Sequence, residues 1–274
     1  MTLKIDGSLL LAGAGNMGAA LLAGWLDRGL DPGAVQIQDP APPSATRALL
    51  ERHHLTASPM LEPLPKAPAV IVVAVKPQVM DEVFPGLARH AGPQTVVLSI
   101  AAGRTLAGFE RQLAPQAAVV RAMPNTPAAI ARGISVAVPN AHVTAAQRQL
   151  CDALLRAVGE VEWVAEEALL DPVTAVSGSG PAYVFHLTEC LAAAGVTAGL
   201  APDLAMKLAR HTVSGAGELI NRAKAPPSAL RESVTSPNGT TFAALQVLMG
   251  EGGLAELMTE AVAAATRRSR ELAK

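Results

Sequence analysis

The sequence predicts an α/β chain in two parts: a doubly wound, mostly parallel sheet over residues 1–165, followed by an all-α part over residues 166–274. Three observations predict it. In the first part, short apolar runs rich in Val, Ile and Leu alternate with helical stretches, the pattern of a parallel sheet covered on both faces. After about Ala165 the strand signals fade, and Ala- and Leu-rich segments punctuated by Gly and Pro take over. Half of the residues are hydrophobic but only 3% are aromatic, so the cores must be built from Ala, Leu and Val, which suits closely packed helices. A chain of 274 residues is better served by two cores than by one.

The elements follow in order. Ser8 to Ala12 is a short apolar strand that ends at a glycine cluster, and Ala19 to Leu26 continues as a helix stopped by Gly29. Ala34 to Gln38 reads as the second strand. A turn containing Pro40, Pro42 and Pro43 precedes a helix over Ala45 to His53. Ala69 to Val75 is an unbroken apolar run and the clearest strand. Thr95 to Ile100, Ala117 to Ala122, Ile134 to Val138 and Val161 to Val164 repeat the signal. In the second part, Pro181 just after Ser179 reads as a capped helix start with proline at its first position. The stretch Ala182 to Ala194 carries only Glu189 as a charged residue, so this helix must be buried on several sides. So small a helical part cannot surround it alone. The expected arrangement is a homodimer in which two chains wrap their helical domains together, with a larger ring of dimers left open.

Composition excludes several classes of function. The formal net charge is -1 and no basic block stands out, which removes the electrostatic basis of nucleic-acid affinity. Cys151 and Cys190 are far apart and form neither a disulfide framework nor a CxxC site; both are expected to be buried and inert. No apolar stretch reaches the ~20 residues of a membrane span. The N-terminal residues lead into a strand and do not read as a signal peptide, so a cytoplasmic location is expected. Among His53, His54, His90, His142, His186 and His211 no His–Asp pair or metal-ligating cluster emerges, and no metal is expected. Arg267, Arg268 and Arg270 read as a solvated helix end, where the dipole favours cations.

The glycine cluster carries the first chemistry. Gly13-Ala14-Gly15-Asn16-Met17-Gly18 matches G-x-G-x-x-G between a strand and a helix, the fingerprint of a Rossmann-like dinucleotide-binding domain. Its glycines allow the turn, the approach of backbone to pyrophosphate, and close helix-strand packing. Asp39 lies at the end of the second strand. It reads either as the acceptor for the ribose hydroxyls of NAD, repelling the 2'-phosphate of NADP, or as a solvated turn residue before Pro40. Arg47 offsets that repulsion if its helix brings it back over the site. Three more loops follow strands: Val75-Lys76-Pro77, Ala101-Ala102-Gly103, and Met123-Pro124-Asn125-Thr126-Pro127. Ligands of open parallel sheets lie beyond the carboxyl ends of strands, so these loops are expected to line the cofactor cleft, although Lys76 alone would read as an exposed strand end. Far along the chain, Ser236-Pro237-Asn238-Gly239-Thr240-Thr241 precedes an apolar helical run from Phe242 to Met249. It reads as a capping loop or as a receptor for a small carboxylate, whose donors are helix N-terminal amides and three hydroxyls.

Taken with Ser99-Ile100, Arg121-Ala122 and Ser177-Gly178-Ser179-Gly180-Pro181-Ala182-Tyr183, these segments make the chain resemble pyrroline-5-carboxylate reductases from the first strand to the last helix. The Met-Pro-Asn-Thr-Pro and Ser-Pro-x-Gly-Thr-Thr segments are far more specific than the glycine fingerprint. The resemblance implies reduction of 1-pyrroline-5-carboxylate to L-proline by NADPH or NADH, the last step of proline biosynthesis. It selects the ligand reading for Lys76 and for the Ser236–Thr241 loop. It also implies that the amides of that loop hold the substrate carboxylate at a dimer-built site, and that Thr241 faces the imine nitrogen. Two positions depart from the family pattern: Asn238, where a glycine is usual, and Lys224-Ala225-Pro226-Pro227, where an acidic residue before a His-Pro-Gly-like turn is common. An Asn is the best non-glycine choice for a turn of positive φ. The rival readings are a two-domain hydroxyacid dehydrogenase, which needs an acid/base lysine on its helical domain, and a cofactor-binding sensor without turnover.

Overall fold

The structure is a computed structural model that describes residues 2–62 and 64–273. The chain folds as two compact units, Met1–Gly178 with Thr266–Lys274, and Ser179–Ala265. The expected boundary near Ala165 falls just after the last strand, and the first unit continues beyond it to Gly178.

In the first unit the chain runs through β1 (Leu9–Ala12), α1 (Asn16–Asp27), β2 (Val35–Gln38), α2 (Ser44–Arg52), β3 (Ala57–Ser58) and β4 (Val70–Val73). It continues through α3 (Met80–Ala88), β5 (Val96–Ser99), α4 (Leu106–Glu110), β6 (Ala118–Met123), β7 (Gly133–Pro139), α5 (Ala145–Arg156), β8 (Gly159–Trp163) and α6 (Leu170–Val173). Among the described residues the strands form one eight-stranded sheet of order β3-β2-β1-β4-β5-β6-β7-β8. All pairings are parallel except β6 with β7. The first six strands therefore have the doubly wound order that reverses between β1 and β4.

Period-two alternation splits the apolar side chains between two cores. Leu9, Leu11, Val70, Val72, Val96 and Leu98 face a layer made by α1, α2 and α5. Leu10, Ile71, Val73 and Val97 face Phe84 of α3 and Phe109 of α4, whose rings meet edge-on at 4.9 Å. In the first layer the Trp25 indole is fully buried and donates to the Leu154 carbonyl at 2.9 Å, tying α1 to α5.

The second unit holds α7 (Gly180–Thr197), α8 (Pro202–Arg222), α9 (Pro227–Ser233), α10 (Thr240–Leu248) and the start of α11 (Leu254–Leu272). Ser179 precedes α7 but makes no capping hydrogen bond. Pro181 is the second helical residue, and a π-helical turn over Thr174–Gly178 leads into it. The expected side-chain cap is thus replaced by helix that is already running. α7 packs on α8 through Gly195 and Ala205, yet Phe185 is 64% and Leu187 48% exposed in the single chain. An apolar surface of this extent, on a unit whose buried residues are Ala192, Ala205 and Ala209, is that of an interface. Cys190 lies on α7 and is exposed, contrary to the expectation of two buried thiols. Cys151 is buried, and burial pushes its thiol up to about 12. Among the described residues no helix is long and apolar enough to cross a membrane, and no group of His, Cys, Asp or Glu is placed to hold a metal.

Candidate active site

The four predicted cofactor loops leave β1, β4, β5 and β6 at their carboxyl ends, and these strands are neighbours in the sheet. At the first loop, Gly13 has φ +91°, and a Cβ there would lie 2.7 Å from the Ala74 carbonyl group beyond β4. A Cβ on Gly18 would strike the Gly13 carbonyl oxygen, so α1 starts against the turn. Gly15 is different: nothing lies within 4 Å of its missing side chain. That open side, with the unpaired first amides of α1 around Asn16 and Met17, fits a pyrophosphate.

Asp39 follows β2 and holds this turn. Its Oδ2 accepts from the Ala14 amide at 2.7 Å and its Oδ1 from the Ala41 amide at 2.8 Å. The buried Thr46 hydroxyl of α2 donates to the Ala14 carbonyl at 3.0 Å, completing a cage around the residue between the two glycines. Arg47, a possible counter-charge in the sequence, donates to the Pro42 carbonyl at 3.2 Å.

The next two loops are fastened to each other. Lys76 is exposed before a 3-10 turn at Pro77–Val79. Arg104, just past Ala101-Ala102-Gly103, donates to the Pro77 carbonyl at 2.9 Å and to both oxygens of Asp81 on α3. That hydrogen bonding holds the Asp81 carboxyl below the usual range. Gly103 has φ +72°, and a Cβ there would lie 2.8 Å from the Leu272 carbonyl oxygen. The last turn of α11 therefore rests on this loop. Ser269 also donates to Asp171 at 2.7 Å, and Arg270 stands 3.8 Å from the same carboxylate. The arginine cluster read as a solvated helix end is thus partly anchored, while Arg268 pairs with Glu271 on its own helix.

In the fourth loop Pro124 is buried, Met123 and Asn125 are half-buried, and Thr126 is exposed. Asn125 is committed in part to structure, since its Oδ1 accepts from the Ile134 amide of β7 at 2.9 Å. Behind the loop, the Glu167 carboxylate pairs with Arg121 of β6 and accepts from the Leu106 amide of α4. Thr46, Asp81, Arg104 and Leu272 carried no signal in the sequence, because each acts through a partner distant in the chain.

The Ser236–Thr241 segment lies in the second unit. The Gly239 amide donates to the Ser236 carbonyl at 3.1 Å, Pro237 occupies the second position, and Asn238 has φ +57°. These are the marks of a type II turn. The Asn that replaces glycine thus sits in the left-handed region that the turn requires. α10 starts at Thr240, and its first intrahelical bond, Ala243 N–H to the Gly239 carbonyl, leaves the Thr240, Thr241 and Phe242 amides ahead of it. The hydroxyls of Thr188, Thr197 and Thr259 return to carbonyls four residues back. In the first turn of α10 no helical carbonyl stands at that position for Thr241.

The family profile for pyrroline-5-carboxylate reductase dimerisation matches residues 167–272, and the profile described as NADP oxidoreductase coenzyme F420-dependent matches residues 9–103. The pyrroline-5-carboxylate reductase of Pseudomonas aeruginosa is 40% identical over 96% of this chain and 95% of its own. The chain belongs to the pyrroline-5-carboxylate reductase family. That of Escherichia coli is 35% identical over 96% of this chain and 97% of its own. Among solved structures, a pyrroline-5-carboxylate reductase from Coxiella burnetii aligns with a TM-score of 0.88 and 32% identity, covering 98% of this chain and all of the other. The Plasmodium falciparum pyrroline carboxylate reductase with NADP bound aligns with a TM-score of 0.80 and 25% identity over 98% and 99%. As a member of this family the chain is an oxidoreductase using NADPH or NADH, and it carries the family's dimerisation domain.

Proposed function

We propose that this chain works as a homodimer that reduces the C=N bond of 1-pyrroline-5-carboxylate to give L-proline, with the two ligands held by the loops described above. The observation that carries the substrate assignment is the turn at Pro237-Asn238, whose left-handed Asn238 delivers the chain into α10 with the Thr240, Thr241 and Phe242 amides unpaired. Those amides and the positive end of the helix dipole suit the substrate carboxylate.

The residues of the first unit hold NADPH or NADH, which supplies the hydride. The amides of Asn16 and Met17 take the pyrophosphate, Asp39 stands at the ribose, and the loops at Val75–Pro77, Ala101–Gly103 and Met123–Thr126 flank the cleft. Hydride arriving at the imine carbon leaves electron density on nitrogen, and the Thr241 hydroxyl satisfies it or hydrogen-bonds the proton already there. No strong base is needed for this step. Most of the rate then comes from holding the two reactants together away from water. Two free cysteines suit a reducing compartment, and we place the enzyme in the cytoplasm. A net charge of -1 supports a small-molecule partner over nucleic acid.

The decisive assay is oxidation of NADPH and NADH with pyrroline-5-carboxylate, beside a panel of hydroxyacids run in reverse. Turnover with the imine alone is expected. A protein that binds cofactor but leaves the imine untouched would overturn the reading.

A further inference from the structure

We propose that Asp39 makes this enzyme prefer NADH to NADPH, although a relative of the family has been solved with NADP bound. The inference rests on the dinucleotide site above and adds which of the two cofactors that site selects. Asp39 is fixed at the end of β2 from three directions: its own amide donates to the Ser58 carbonyl at 2.9 Å, and its two oxygens accept from Ala14 and Ala41. A carboxylate so held cannot swing aside to admit a second anion. Each oxygen has a further lone pair, so the group retains acceptors for two vicinal ribose hydroxyls.

The Pro40–Pro43 turn itself offers a 2'-phosphate few donors. Pro40, Pro42 and Pro43 have no N–H, and the Ala41 amide is already given to Asp39. The next along the chain are the Ser44 hydroxyl and the Ser44, Ala45 and Thr46 amides ahead of the first intrahelical bond of α2, none of which carries a charge to set against Asp39. No lysine or arginine occurs from Asp39 to Thr46. The next residue, Arg47, spends a guanidinium N–H on the Pro42 carbonyl. The phosphomonoester would bring about two negative charges beside a fixed carboxylate. The ribose hydroxyls of NADH, in contrast, find an acceptor already oriented for them.

NADH and NADPH differ only in the 2'-phosphate, so the ratio of their dissociation constants isolates its interaction with the turn. The test is direct titration of the substrate-free enzyme with each cofactor, followed by nicotinamide fluorescence, for wild type, Asp39→Asn and Asp39→Ser. Asn retains an oxygen for the Ala14 amide and removes the charge. We expect the wild type to bind NADH more tightly by about tenfold or more, the scale of one screened charge repulsion near a protein surface. The neutral variants should narrow the gap to within about threefold. Equal or tighter binding of NADPH by the wild type overturns the proposal, and this measurement needs no variant to fold. A gap unchanged in either neutral variant that still binds NADH also overturns it. Failure of the wild type to bind either cofactor would instead overturn the dinucleotide site itself.

Discussion

Arg104 grips Asp81 with both ends of its guanidinium, at 2.7 and 2.9 Å, and the second nitrogen also holds the Pro77 carbonyl at 2.9 Å. One side chain thereby joins the loop after β5 to the loop after β4. Asp81 is exposed, so the ion pair contributes little to global stability. Its effect falls on the loops. We expect Arg104→Ala to raise the cofactor KM by about fivefold with Tm nearly unchanged, and Arg104→Lys, a point donor in place of a planar fork, to fall between. The hydrogen bond from Arg104 depresses the Asp81 pKa, so the clamp contributes above the ordinary aspartate range and is lost as pH falls through the depressed value. The cofactor KM should therefore stay flat from neutral pH down to that range and rise only below it, whereas Asp81→Asn should show a raised KM throughout. A flat KM in the alanine variant would show that the clamp does not serve the cofactor.

Thr241→Ala should lower kcat by about tenfold to a hundredfold, the lower range of a positioned proton donor, while Thr241→Ser keeps most of the rate. The carboxylate-binding amides are backbone groups and remain, so the substrate KM should change less than kcat. An alanine enzyme with unchanged kcat/KM would remove the donor role.

At Asn238 the φ of +57° sets the order of replacements. Asn238→Gly should leave the substrate KM within about twofold and Tm within a few degrees, since relief at φ is offset by a more flexible unfolded chain. Asn238→Val should cost about 1–2 kcal/mol and raise the substrate KM, because a β-branched residue resists the left-handed region. Thermal melts and KM for the three enzymes decide it. A valine enzyme with native Tm and KM would mean that the turn relaxes freely.

Phe185, 64% exposed in the single chain, tests the interface. Phe185→Asp should convert the dimer to a monomer in light-scattering chromatography and abolish activity, as expected if two chains build the site. A variant that remains dimeric and active would place Phe185 outside the interface.

The sheet was legible because its strands are buried on both faces. Val70–Val73 had no polar residue to interrupt the pattern and Val96–Ser99 only its last, and the observed strand ends fall within a residue or two of the expected ones. The antiparallel turn of β7 against β6 was not legible, since strand direction depends on the path of the Met123–Arg132 loop and not on apolar spacing. β3, with two residues, is too short to show a period. The loops of the candidate site stood out through Gly, Pro and Asn, the residues that punctuate chains. Their fastenings did not, because Arg104–Asp81, Thr46–Ala14 and Gly103–Leu272 join residues whose proximity only the folded chain creates. Ser179 looked like a cap because proline follows it, but the π-helical turn before it leaves no free helix end to cap.

The contact of Leu272 with the Gly103 loop bears on how this protein can be cut and recombined. α11 begins in one compact unit and finishes in the other, so no single break in the chain separates them. A nucleotide-binding fragment ending at Gly178 would lose the strap over its own third loop. A chimaera that exchanges the helical part would have to keep, from Thr266 onward, a helix whose backbone at position 272 can lie against Gly103 and whose side chains at 269 and 270 suit Asp171.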